Sequence, residues 1–219
     1  MRTTLTIISL LTLTGCVTTS PIPTSRSMND FVMMSLKVNN QKSVNYNFIS
    51  NYVDGQIEVS PEENISGYSK ILFSHTIPST SKGMIQQFLD YRFIPSTTNT
   101  DSTNIVGLDI ELRELNITYK PLNSTGDVVL VAFIGGELSY LYKTVLSYNV
   151  KLRVGEQTYE RNFSVNSEQN FISGVGTGTS TSNVYRGEQS QNQLIGKSVD
   201  ECNNKFLMLL NKYLEENGL

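Results

Sequence analysis

With 219 residues, 38% of them apolar, and a formal charge of −3, the chain can build one sizeable core and sits between one generous domain and two small ones. Its 17 Lys and Arg are outnumbered by 20 Asp and Glu and form no basic stripe, which argues against nucleic acid as a partner. One histidine and two cysteines leave little material for a histidine-based triad, a zinc site or a disulfide framework.

The chain opens with Arg2 and an apolar stretch carrying Leu5, Ile7, Ile8, Leu10, Leu11 and Leu13. That stretch is too short to span a bilayer, which takes about 20 apolar residues, and has the length of a signal-peptide core. It ends in Leu13-Thr14-Gly15-Cys16, which resembles the lipobox of bacterial lipoproteins. The resemblance implies export, cleavage before Cys16, diacylglycerol on its thiol and a palmitate-like acyl group on the new amino terminus. A single acyl chain holds a bilayer only marginally, and each buried CH₂ adds about 0.8 kcal/mol, so two or three chains anchor stably. Val17 stands where an Asp would favour the inner membrane, so the resemblance implies the periplasmic face of the outer membrane. Residues 1–15 are expected to be a signal peptide, 16–30 a lipidated tether and 31–219 a single domain. With Cys16 acylated, Cys202 has no partner within the chain and is expected as a small buried hydrophobe on a helix.

Val17 to Asn29 is rich in Ser, Thr and Pro and is expected to bury little. Alternation of Val32, Met34, Leu36 and Val38 predicts a first strand, with a turn at Asn39-Asn40. Val44, Tyr46 and Phe48 predict a second strand, Ile57 and Val59 a short third, and Ile71-Leu72-Phe73 reads as buried. Ser79-Thr80-Ser81 offers caps for a helix whose stripe is Met84, Ile85, Phe88 and Leu89. After a polar loop at 96–103, Val106, Leu108, Ile110 and Leu112 alternate, and the apolar phase then moves to Leu115, Ile117 and Tyr119. Such a change of parity requires a bulge or break near Arg113-Glu114. Leu138 to Val154 keeps one parity, and Gly155-Glu156 predicts a two-residue hairpin into a strand with Tyr159, Phe163 and Val165. Residues 172–190 read as a Gly/Ser/Thr-rich loop. From Leu194 the period becomes helical through Ile195, Val199, Cys202, Phe206, Leu209, Leu210 and Tyr213.

Few motifs carry chemistry. His75 has no identified partner for catalysis, no segment has the ligand density of a zinc or calcium site, and no cofactor is expected. Gly196-Lys197-Ser198 lacks the earlier glycine of a phosphate loop, since Gln191 stands there, and reads as a helix start. Gly174 to Gly178 lacks the helix and acidic residue of a dinucleotide site. Asp109 and Glu111 lie on the polar side of a strand and read as a solvated face. Two features are candidate interaction surfaces. Val128 to Ile134 is an unbroken apolar run that fits a strand covered on both faces. Alternatively it is an exposed segment in which Val129, Leu130, Val131, Phe133 and Ile134 dock on a partner. Tyr140, Tyr142 and Tyr148 fit either a binding surface or, by their alternation, core packing.

The order of elements, with the strand Leu108-Asp109-Ile110-Glu111-Leu112, the hairpin and the C-terminal amphipathic helix, resembles the small YajG-type lipoproteins. In outline it is also similar to the lipopolysaccharide-assembly and transporter-auxiliary lipoproteins. The chain departs from them in a longer region before its first helix and an insert at Val128 to Gly136. The resemblance implies an envelope protein without catalysis and carries over no functional residue beyond Cys16. The expectation is an α+β domain, a mainly antiparallel sheet with two helices on one face. Its expected role is a non-enzymatic accessory or assembly factor, held at the membrane by its lipid, that binds an envelope protein partner. The alternative is binding or transfer of an amphipathic ligand such as a glycolipid, in a groove beneath the C-terminal helix.

Overall fold

The strand predicted from Val106 is the spine of the sheet. This computed structural model describes residues 22–25, 28–36, 39–62, 70–95, 105–123, 136–175 and 181–219. Strand β5 (Ile105–Pro121) pairs antiparallel with β6 (Gly136–Val154), which pairs antiparallel with β7 (Gln157–Val175). On its other edge β5 runs parallel to β1 (Asn39–Ser50) along its first half and to β2 (Gly55–Pro61) near its end. Strand β3 (Ile71–His75) pairs antiparallel with β2, and β4 (Phe93–Pro95) pairs parallel with β1.

The seven strands make one mixed sheet: the long β5–β6–β7 pairings are antiparallel, as expected of a mainly antiparallel sheet, while β1, β2 and β4 add parallel pairings that the sequence did not predict. Alternation tells which face a strand buries but is blind to strand direction. Direction is set here by α2 (Ile77–Arg92), which carries the chain back between β3 and β4 so that β1, β4 and β5 run the same way. The α+β class holds, with three helices among the described residues rather than the expected two: α1 (Asp30–Ser35), α2 and α3 (Thr181–Glu216).

The parity change in β5 is a bulge. Its register against β6 shifts between Leu112 and Glu114, so Arg113 is the extra residue. Val106, Leu108, Ile110 and Leu112 are buried before it, and Leu115, Ile117 and Tyr119 after it. Without that residue the second apolar set would face water. The hairpin is also as expected: Val154 pairs with Gln157 across two residues, and Gly155 takes φ +60°, a backbone conformation that side chains disfavour.

Four local expectations give way. The first strand is helix α1: Asn29 accepts the Val32 amide at 2.9 Å as an N-cap, Val32 is buried and Met34 is 85% exposed. Helix α2 starts at Ile77 with Pro78 in its first turn, so Ser79-Thr80-Ser81 lies inside it, while Met84, Ile85, Phe88 and Leu89 form the buried stripe. In β3, Leu72 points to water between a half-buried Ile71 and a buried Phe73. Finally, β7 continues to Val175 and α3 begins at Thr181, so most of the expected 172–190 loop is regular structure and Gly196 sits inside a helix rather than at its start. The buried face of α3 runs through Phe206, Leu207, Leu210, Tyr213 and Leu214, leaving Leu209 exposed.

Candidate functional site

Helices α2 and α3 lie side by side and point the same way. Ser81 Oγ, in the first half of α2, donates to Asn203 Oδ1 at 2.9 Å. Arg92, at the end of α2, donates from Nη1 to Asn211 Oδ1 and from Nη2 to the Leu219 carbonyl at 2.6 Å. Beneath α3 the space is filled. The Tyr148 ring stacks on Phe206 at 3.9 Å between centroids, Phe163 meets Phe206 edge-on at 5.8 Å, and both Tyr148 and Phe206 are buried. The Tyr148 hydroxyl donates to the same Asn203 oxygen at 2.9 Å, and burial pushes its phenol well up from the ordinary range.

The groove between the two helices is occupied by the chain's own residues 22–25 and 28–36. Ile22 donates its amide to the Ser74 carbonyl at 2.8 Å, Thr24 Oγ1 meets Thr80 Oγ1 at 2.7 Å, and the Ser25 amide is held by both carboxylate oxygens of Asp200 at 2.8 and 3.0 Å. The Met28 amide donates to Gln87 Oε1 and the Asn29 amide to Asn204 Oδ1. Ile22, Met28 and Val32 are buried. The segment expected to bury little is therefore a docked strap from Ile22 onward. Gly196 makes room for it: a Cβ there would stand 1.8 Å from the Pro23 carbonyl oxygen. A glycine in the interior of an amphipathic helix was the sequence signal for this close approach.

Asp200 gives the strap a pH dependence. Burial raises its carboxyl from 3.8 to about 6 against the opposing pull of the Ser25 amide. The folded protein thus keeps a proton that the unfolded chain releases between about 4 and about 6. Stability from this group is complete below the ordinary carboxylate range and is lost as pH rises through about 6. Asp200→Asn is expected to remove that slope, so the gap in melting temperature between variant and wild type should change between pH 4 and pH 6.5. Parallel melting profiles over that range would show Asp200 to be fully hydrated.

The other residues singled out by sequence fall as follows. Cys16, Val129, Leu130, Val131, Phe133 and Ile134 lie outside the described residues, as do Gly176 to Gly178. His75 is buried, its Nδ1 accepts the Ile77 amide at 3.3 Å, and burial lowers its pKa against the opposing charge of Asp54. Cys202 is a free, buried thiol pushed by burial up to about 12. Asp109 pairs with Arg153 at 3.0 Å and Glu111 with Arg113 at 2.9 Å on the solvated face. Tyr142 and Tyr148 are core residues; Tyr142 sits with Tyr119, Tyr140 and Phe171 in a cluster of rings 6.0–6.3 Å apart. Among the described residues, no three His, Cys, Asp or Glu side chains gather to hold a metal ion.

No protein-family model matches this chain. No curated protein matches it either. Among solved structures, a Xanthomonas campestris protein carrying the family model DUF330 aligns over 90% of this chain and 98% of its own, at 9% identity and a TM-score of 0.43. An uncharacterised protein aligns over 89% of this chain and 96% of its own, at 11% identity and a TM-score of 0.35.

Proposed function

We propose that this chain is a lipid-anchored accessory protein of the bacterial envelope, acting without catalysis by binding a protein partner. The anchor reading rests on Leu13-Thr14-Gly15-Cys16. Partner binding is favoured over an amphipathic ligand by one observation. The space beneath the C-terminal helix, where a ligand groove was expected, is filled by Tyr148, Phe163 and Phe206, and the neighbouring helix groove is filled by the strap. An apolar ligand needs an open cavity of a few hundred Å³, of the kind found at small-molecule sites.

The docking surface of this proposal is the apolar run with Val129, Leu130, Val131, Phe133 and Ile134. Replacing Val129 and Phe133 with Ser is expected to abolish crosslinks to a partner in the native envelope while leaving the melting temperature unchanged. A large fall in melting temperature would assign the run to the core instead. Cys16→Ser, in the same assay, is expected to lose both fatty-acid label and crosslink. Label retained by that variant would overturn the anchor.

A further inference from the structure

The docked strap fixes which end of the domain meets the membrane. Along the strap, Pro23, Ser25 and Asn29 pass Gly196, Asp200 and Asn204 of α3 in turn. The chain therefore enters Ile22 from the side of the early turns of α3. Helix α3 runs against β7, since Ser198 bonds to Ser167, Cys202 to Val165, and Arg161 to Glu216 at the far end. The early turns of α3 thus share one end of the molecule with the finish of β5, the start of β6 and the finish of β7. The Gly155-Glu156 hairpin marks the other end.

Lengths decide between the two ends. Ile22 is six chain steps from Cys16, a reach of about 20 Å. From Ser167, beside Ser198, up to Ile172 is five strand residues, about 17 Å, so the anchor can reach the first end. From Ser167, beside Ser198, to Gln157 at the hairpin is ten strand residues, about 33 Å, which the anchor cannot cover. The reachable end also carries exposed apolar side chains. Leu122 is 53% and Ile172 60% exposed, and they flank Ser139, whose carbonyl accepts the Leu122 amide and which pairs with Ile172. We propose that this sheet end, with Leu122 and Ile172, rests on the bilayer that holds the acyl chains of Cys16. This rests on the anchor reading above and adds an orientation to it.

The test uses the full-length lipidated protein in phosphatidylcholine–phosphatidylglycerol vesicles whose headgroups carry a spin-label quencher. A fluorophore is placed at Ile172→Cys, at Leu122→Cys or at Glu156→Cys in the hairpin; Cys202 is buried and escapes labelling. The first two probes are expected to be quenched several-fold more than the third. Gly196→Ala, which drives a Cβ into the Pro23 carbonyl while favouring helix, is expected to release the strap and erase the contrast. Equal quenching at both ends, stronger quenching at Glu156→Cys, or a contrast unmoved by Gly196→Ala would overturn the orientation. A mass spectrum of the same sample without acyl mass on residue 16 would overturn the anchor, and the orientation with it.

Discussion

Phe206→Ala is expected to lower stability by about 3–5 kcal/mol, the usual cost of emptying a fully buried phenylalanine site. Phe206 is completely buried between the Tyr148 ring at 3.9 Å and the Phe163 ring at 5.8 Å, so its removal leaves a void lined by rigid aromatic faces that close poorly. The neighbouring Lys205 is exposed, and its ammonium donates to the Asn166 carbonyl at 2.7 Å. Lys205→Ala should therefore stay within about 0.5 kcal/mol of wild type. With a urea dependence of about 2 kcal/mol/M, the phenylalanine variant should unfold about 2 M earlier than the lysine variant. Coincident midpoints would mean that α3 turns a different face to the sheet.

Arg92 is the second large effect. Its guanidinium is buried, holds Asn211 and the Leu219 carbonyl, and lies near Glu215; burial pulls its pKa down while Glu215 opposes the shift. Arg92→Met would leave two buried acceptors without donors. Hydrogen bonds to charged groups contribute about 1.5–3 kcal/mol each, so the expected loss is about 3 kcal/mol or more. Arg92→Lys keeps the charge but not the planar fork, and should recover less than half of it. Adding Asn211→Leu to Arg92→Met should restore part of the loss, because one stranded acceptor is removed along with its donor. Denaturation of the two single variants and the double variant would close the cycle. An additive double variant would show that Arg92 and Asn211 are not coupled.

What the sequence discloses follows from how local the cause is. The parity flip in β5 is written in the apolar residues themselves, so the Arg113 bulge was legible to within a residue. Strand direction was not, because Val44, Tyr46 and Phe48 bury the same face whether β1 runs with or against β5. The sequence does not separate helix from strand at α1 because six residues are too few to tell a period of two from one of 3.6, and the Asn29 cap was the better guide. The strap was invisible for another reason: its backbone amides are held by Asp200, Gln87 and Asn204, partners no local pattern can point to. As for the candidate site, the lipobox-like Leu13-Thr14-Gly15-Cys16 and the run Val128 to Ile134 are features of the sequence alone, readable without any fold.

The strap has a consequence for the order of events as the chain is made. Ser25 and Asn29 each wait for a partner 175 positions later in the chain. Neither wall of the groove suffices by itself, since α2 supplies one side and α3, the last element, the other. Closure of so long a loop is slow compared with local helix formation, and contacts of this separation are the late ones in folding. The N-terminal segment therefore stays undocked until α3 has formed the second wall of the groove, and its docking is a late act of folding.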